Sequence, residues 1–291
     1  MNDPLVVTSN AETVEREQQE DEKQEGEQQE NSAPVTVVVT PTVERERREA
    51  ERREHSAPVA VVVTPAQNES ETIGDVVKAI VALGYVSVVI DDASSDATGD
   101  LARAAGAVVV RLDQSFGVGH ALRRGFAVAI TLGASAIVQC DGDGQHPVHE
   151  IPRLLTHRPD AALVIGSRFL ADEPLRLSAA KRAGIWLLRH RLRARVGLSV
   201  SDPTSGFRSI RQPLLTAFAD DFPSSYLGDT FEACLAAAEL VGPARISEIG
   251  VEMRDRQGGV PFATGKHAAW LLVRAVFGTS RLVRRPLRPL R

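Results

Sequence analysis

The chain has 291 residues and a formal charge of −4, unevenly spread: residues 1–55 hold 15 acids against 7 Lys and Arg, a net of −8, which leaves +4 for 56–291. That first stretch is rich in Gln and has no aromatic residue, so it cannot bury enough apolar surface to offset its ordering entropy and is expected to be a disordered tail. Two distant cysteines, Cys140 and Cys234, imply neither a disulfide framework nor a zinc site, and no signal peptide or membrane-length apolar run is apparent.

Within the tail, SAPVTVVVTP at 32–41 returns as SAPVAVVVTP at 56–65. Two copies are too few for a solenoid, and only the second runs on into patterned sequence. The expected division is a tail, 1–55, an ordered domain, 56–262, and a basic amphipathic end, 263–291. From the second copy onward, strands and helices alternate. The spacing predicts a strand over 59–64, then a helix over 71–83 with Ile73, Val76, Val77, Ile80 and Val81 on its apolar side. A strand over 86–91 leads to a helix ending near 105, capped by Ser95 or Asp96. A strand over 107–112, a helix over 118–132, a strand over 136–140, a helix near 149–156 and a strand over 162–165 follow. This order argues for an α/β fold with a mostly parallel sheet covered by helices on both faces. Ligands of such sheets gather at the C-terminal ends of the strands, and three strands end there in polar signatures: TPAQNE, IDDASSD and CDGDGQH.

The third signature raises a chemical question, because Asp141 and Asp143 flank a single glycine, Gly142. Like charges this close repel unless a cation lies between them. In an extended segment the two side chains leave one face, and a divalent ion held by one or two carboxylates plus water and phosphate oxygens is how Mg2+ or Mn2+ grips a diphosphate. A solvated strand-end turn is the plain alternative. A calcium loop fails, because its sixth and twelfth positions would be His146 and Pro152 rather than Gly and Glu. A Mg-dependent phosphatase using Asp141 as nucleophile stays open, although its motif normally follows the first strand.

Six segments in order resemble glycosyltransferase family 2 enzymes of the GT-A fold, above all the dolichol- and polyprenyl-phosphate hexosyltransferase branch. They are TPAQNESETIGDVV, VIDDASSDATGDLA, FGVGHALRRGF, VQCDGDGQHPVHEIPRLL, VIGSRF and SDPTSGFRSIR. Each is weak alone; the series is specific. It covers most of the chain from about Val59 to Val273, which makes 56–262 a GT-A domain. Ser115 stands where relatives often carry Asn, and Gln67 where many carry an aromatic residue.

The resemblance implies roles for individual residues. Pro65, Ala66 and Glu69, with Asp91 and Asp92, would line the donor nucleotide pocket, and which of the two aspartates meets the base stays open. Asp141, Asp143 and Gln145 would hold Mg2+ or Mn2+ on the donor diphosphate. Arg168, Arg182, Arg208 and Arg256 would bind the acceptor phosphate, as arginine grips oxyanions elsewhere. Arg182 equally fits a solvated helix face, and Ser205, Gly206, Phe207 and Arg208 would form a loop on the acceptor side. Asp229 and Glu232, three apart on one helical face, read either as a capped helix start or, with Asp143, as catalytic carboxylates.

The activity so implied is metal-dependent, inverting transfer of a hexose from a UDP- or GDP-sugar to a lipid phosphate. A sugar or small-molecule hydroxyl is the alternative acceptor, and a non-catalytic sugar-nucleotide binder is the alternative to an enzyme. No nucleic-acid partner is expected. The end of the chain has six arginines and no acid after Lys266, which reads as an anchor for an anionic membrane surface or as a solvated tail. The expected location is cytoplasmic, peripheral at the inner face of the membrane.

Overall fold

Valine-rich runs buried on both faces open the fold. In the computed structural model, which describes residues 60–172, 179–221 and 229–254, β1 (Ala60–Ala66) leads to α1 (Ile73–Ala82) and β2 (Val86–Asp91). Then come α2 (Thr98–Ala104), β3 (Val108–Arg111), α3 (Val118–Thr131) and β4 (Ala136–Gln139). A 3-10 turn enters α4 (Ile151–Thr156), followed by β5 (Leu163–Ser167), α5 (Ala179–Val196) and β6 (Arg208–Arg211). The rest is α6 (Leu214–Asp221), α7 (Asp229–Val241) and β7 (Ile246–Gly250). The tail, its repeat, Arg256 and the basic C-terminal stretch lie outside the described residues.

The strands make one sheet in the order β3-β2-β1-β4-β6-β5-β7. All neighbours are parallel except β6, which runs antiparallel to both β4 and β5. Successive side chains of a strand leave opposite faces, and β1 divides accordingly. Val61 and Val63 join the core under α3, α5, α6 and α7, whereas Val62 joins the core under α1 and α4. Both faces are thus covered, as the alternation of elements predicts.

Several boundaries move for local reasons. β1 runs two residues past the expected end, through Pro65, which can stand in the sheet because β4 pairs only as far as Val63 and no ladder donor is needed there. Val81 is 41% exposed; the buried set on α1 is Ile73, Val76, Val77 and Ile80. Neither Ser95 nor Asp96 is the N-cap of α2: that position is Ala97, and Asp96 acts one residue earlier by accepting from the amide of Thr98 at 3.0 Å. Gly125 of α3 faces β1 so closely that a Cβ there would lie 2.3 Å from Val63 Cγ1, which is why the helix carries glycine at that turn. Arg208 belongs to β6 rather than to a loop, and β6 and β7 are strands that the pattern of apolar runs does not reveal.

Candidate active site

The three polar signatures meet at one edge of the sheet. Ala66, the last residue of β1, is in register with Asp91, the last of β2, and Cys140, just past β4, donates its amide to Val63 O at 3.0 Å. Thr72, at the head of α1, donates its hydroxyl to Gly142 O at 2.7 Å. This bond fastens the loop after β1 to the loop after β4. A Cβ on Gly142 would lie 2.2 Å from Glu69 Oε2, so the glycine is what lets the Glu69 carboxylate lie on the backbone between Asp141 and Asp143. Burial, then the charges of Asp141, Asp143 and Glu69, push the Cys140 thiol well above its ordinary value.

His146 sets the shape of the loop. Its Nδ1 accepts from the Asp141 amide at 2.8 Å, which leaves the ring proton on Nε2, 3.6 Å from Asp141 Oδ2. The ring is stacked on Phe207 with centroids 5.0 Å apart. Asp143 is fully buried and accepts from the Gln145 amide at 2.9 Å, while the Asp141 side chain stays 35% exposed. Among the described residues no three His, Cys, Asp or Glu side chains form a ready metal cage. A cation that draws on two carboxylates and takes its other ligands from phosphate and water needs no such cage, and hard carboxylate oxygens at the open end of a strand suit Mg2+ or Mn2+.

Asp91 and Asp92 have different duties. Asp91 is fully buried; its Oδ1 accepts from the Ser94 amide at 2.8 Å and its Oδ2 from Arg111 Nη1 at 2.7 Å. Asp92 accepts from Ser115 Oγ (2.8 Å) and from the amides of Phe116 and Gly117 (both 2.9 Å). Asp91 thus ties the end of β2 to Arg111 at the end of β3, and Asp92 holds the loop that opens α3. Asn68, Glu69 and Ser70 are laced to the Asp91–Thr98 segment through Ser94, Thr98 and Asp96. Burial opposes ionisation of Asp96, but hydrogen bonds from Thr98 and Ser70 outweigh it and hold the carboxyl at about 2.

Beyond β5 lies a second charged network. Arg168 grips Asp202 with Nε (2.7 Å) and Nη2 (2.8 Å) and also donates to Thr204 Oγ1 at 2.7 Å. Burial works against both ions, yet their pairing raises the Arg168 guanidinium and lowers the Asp202 carboxyl, with the Asp141 charge adding to the rise. The loop that Arg168 grips reaches the aspartates, for a Cβ on Gly206 would lie 3.3 Å from Asp141 Oδ2. Glu248 of β7 sits behind, accepting from the Ser201 amide (2.6 Å) and the Asp202 amide (2.9 Å).

The expected residues do not all assemble. Pro65, Ala66, Glu69, Asp91, Asp92, Asp141, Asp143, Gln145 and Arg168 share this edge. Arg208 does not present itself to an acceptor: it is fully buried and donates to Ser205 O at 2.7 Å and toward Thr230 O at 3.5 Å. Its charge joins β6 to the first turn of α7. Glu232 is buried within α7, and Asp229 is the first residue of that helix. Arg182 is exposed on α5. His146, Thr72, Thr204 and Glu248 were not singled out by the sequence. The His-x-Pro run after the aspartates is a usable signal for His146; a glutamate inside a short strand gives none.

Residues 61–217 match the family model described as glycosyl transferase family 2. The undecaprenyl-phosphate mannosyltransferase of Micrococcus luteus is 31% identical over 179 residues, 59% of this chain and 73% of that protein. The polyprenol monophosphomannose synthase of Mycolicibacterium smegmatis is 28% identical over 193 residues, 62% of this chain and 71% of that protein. Among solved structures, glucosyl-3-phosphoglycerate synthase of Mycobacterium tuberculosis, in complex with Mn2+, UDP and glucosyl-3-phosphoglycerate, superposes with a TM-score of 0.58 at 23% identity, over 80% of this chain and 81% of that one. The last likeness bears on the fold, which is GT-A. With the match spanning the sheet edge just described, the chain belongs to glycosyl transferase family 2.

Proposed function

We propose that the chain is a metal-dependent, inverting hexosyltransferase that moves a hexose from a nucleoside diphosphate sugar to the phosphate of a polyprenyl lipid. The observation that carries this reading is the position of the Asp141–Asp143 loop between Glu69, whose carboxylate lies on Gly142, and the Asp202–Gly206 loop that Arg168 grips, where a Cβ on Gly206 would lie 3.3 Å from Asp141 Oδ2. A diphosphate-gripping end and an oxyanion-gripping end then lie on one strand edge. The names of the two bacterial relatives favour a polyprenyl phosphate acceptor and mannose as the first sugar to try. The neighbour crystallised with Mn2+ and UDP favours a divalent ion and a nucleotide donor.

In this reading Asp141 and Asp143, with Gln145, hold Mg2+ or Mn2+. When bound, the ion supplies charge stabilisation for the departing diphosphate. The nucleotide lies over Pro65 and Ala66, between the Glu69 loop and the loop that Asp92 holds. A phosphate oxygen of the acceptor attacks the anomeric carbon from the opposite side, and the bond to the diphosphate breaks with its electron pair leaving on the nucleotide. A phosphate monoester with a second pKa of about 6 is already anionic, so the acceptor needs placement more than deprotonation. Arg168, fixed by Asp202 and Thr204, is suited to that placement. A hydroxyl acceptor would instead require a carboxylate base within hydrogen-bond reach.

The test is transfer by the full chain with Mn2+, a panel of UDP- and GDP-sugars and a short-chain polyprenyl phosphate. Glycosyl-phosphoryl-polyprenol should form with one donor and vanish with EDTA. Asp143→Ala should lose at least about a hundredfold in kcat while its circular dichroism stays that of wild type. Near-normal turnover of Asp143→Ala in EDTA would falsify the metal role, and a glycosylated hydroxyl in place of the lipid phosphate would overturn the acceptor.

A further inference from the structure

Helix α5 turns toward solvent a face that no described element covers. Its 18 residues include six Lys and Arg and no acid. Leu188 and Leu192 point into the core, and Arg195 reaches Glu239 of α7 at 3.6 Å. The outward stripe is Arg182, Trp186, His190 and Arg193, whose spacings of four, four and three collect on one side of a helix. Trp186 is 64% exposed, more than any other large apolar side chain among the described residues. Its ring stacks on His190, 15° from parallel. Among the described residues, no carboxylate pairs with Arg182 or Arg193.

The surface continues past the helix. Arg189 lies with its guanidinium 5.1 Å from the Phe169 ring centroid, and the next residue, Leu170, is 51% exposed. A hollow of about 460 Å3 opens beside the stripe, bordered by Trp186, Arg189, His190, Arg193, Ser201 and Glu248. An indole left in water costs free energy, and an indole flanked by arginines that no carboxylate neutralises among the described residues, Arg189 being held on Ser201 O, calls for a partner that is apolar and anionic at once. A bilayer with acidic headgroups meets both demands. Tryptophan settles at the headgroup level with its ring in the boundary, and arginine forks onto phosphate oxygens.

We propose that this face of α5, centred on Trp186 and flanked by Arg182, Arg189 and Arg193, docks on an anionic lipid surface. The inference goes beyond the transferase reading and does not depend on it, because its readout is lipid contact at one side chain. It is also separate from the basic C-terminal run, which lies outside the described residues.

Trp270 is the only other tryptophan, so the full chain carrying Trp270→Phe reports Trp186 alone. With vesicles of phosphatidylcholine and phosphatidylglycerol, its emission should shift to the blue and be quenched by brominated acyl chains. Pure phosphatidylcholine should do neither, and added salt should reverse the effect. Arg193→Gln should weaken partitioning about fivefold, the worth of one cation near such a surface. If the protein sediments with anionic vesicles while Trp186 stays unquenched, another part of the chain docks and the proposal falls. It falls equally if nothing sediments, or if neutral vesicles quench as well as anionic ones. A blue-shifted emission before lipid is added, with a dimer in sedimentation velocity, would assign the face to a second copy instead.

Discussion

Two acids at opposite ends of the sheet edge, Asp92 and Asp202, are held by different kinds of partner. Near β1 and β2, Asp92 takes its three hydrogen bonds from one serine and two backbone amides, and Asp96 is served by Thr98 and Ser70. Near β5 and β7, Asp202 is gripped by the two-pronged guanidinium of Arg168. Amides come from the chain itself, so the first arrangement fixes a loop and no single side chain supplies all of it. An ion pair depends on two side chains: Asp202 keeps Thr204 as a donor if Arg168 is lost, but loss of Asp202 takes the only acid that the Arg168 guanidinium pairs with among the described residues. Asp92 is therefore held by redundancy, whereas the Arg168–Asp202 pair has a single point of failure; Asp91, which takes both an amide and the Arg111 guanidinium, lies between the two.

The largest effect should come from that point. Asp202 is fully buried and Arg168 only 25% exposed, so Asp202→Ala leaves a largely buried cation without its partner. Removing one member of such a pair costs about 3–5 kcal/mol. Urea denaturation at neutral pH should read this as a lower midpoint with an unchanged slope. A loss below about 1 kcal/mol would mean that solvent or Thr204 takes over the guanidinium, and the contrast between the two ends would dissolve.

Asp92→Asn probes the other end. One carboxyl oxygen remains to accept, and the amide nitrogen faces donors it cannot serve, so a buried amide loses its partner at a cost of about 1–3 kcal/mol. Hydrogen exchange should speed up at Phe116 and Gly117, whose amides point at Asp92, more than elsewhere in the chain. If the loss matches that of Asp202→Ala, redundancy does not protect this loop.

The same contrast explains what could be read in the residues. The strands from 60 to 139 are short apolar runs separated by helices of clear period, and their polar ends carry their partners within a few dozen positions. Arg111 lies 20 residues from Asp91, and Ser115 lies 23 from Asp92. The far end is built otherwise. β6 is RSIR, whose two arginines hide a strand because their guanidinium groups are spent on carbonyls, Arg208 fully buried on Ser205 three residues away and Arg211 half-buried on Ala161, 50 residues away. β7 is ISEIG, and its glutamate bonds to Ser201, 47 residues earlier. Long-range satisfaction of charge leaves no mark on local periodicity. The motif series located Arg168 and Asp202 but not their union, because a pattern assigns residue types to positions and says nothing of which ones close on each other. Arg208 misled for that reason: an arginine beside a Ser-Gly-Phe run looks free to bind an anion until the strand places it in the interior.

The smallest effect is a slope against pH, and it separates the acids at the far end from one another. Burial, aided by the charge of Asp202, raises the Glu248 carboxyl, although amides of Ser201 and Asp202 oppose the rise. A carboxyl with a raised value in the folded chain binds its proton more tightly there than in the unfolded chain. Its contribution is therefore full below the unfolded value, 4.5, and is lost as pH climbs through the raised folded value. Asp202 runs the other way: with its value lowered from 3.8, it adds stability above 3.8 that is lost as pH falls. The two acids thus tilt stability in opposite directions across the acidic range. Glu248→Gln removes only the loss on the alkaline side. Melting temperatures taken from pH 4 to pH 7 should show wild type falling relative to the variant above about 4.5, while His120, lowered from 6.5 by burial, tilts both curves alike, even if the variant is less stable throughout for want of one acceptor oxygen. Parallel curves would mean that Glu248 ionises in the folded chain as it does in the unfolded one. The amides of Ser201 and Asp202 would then outweigh burial, and the far end would hold this acid as the near end holds Asp92.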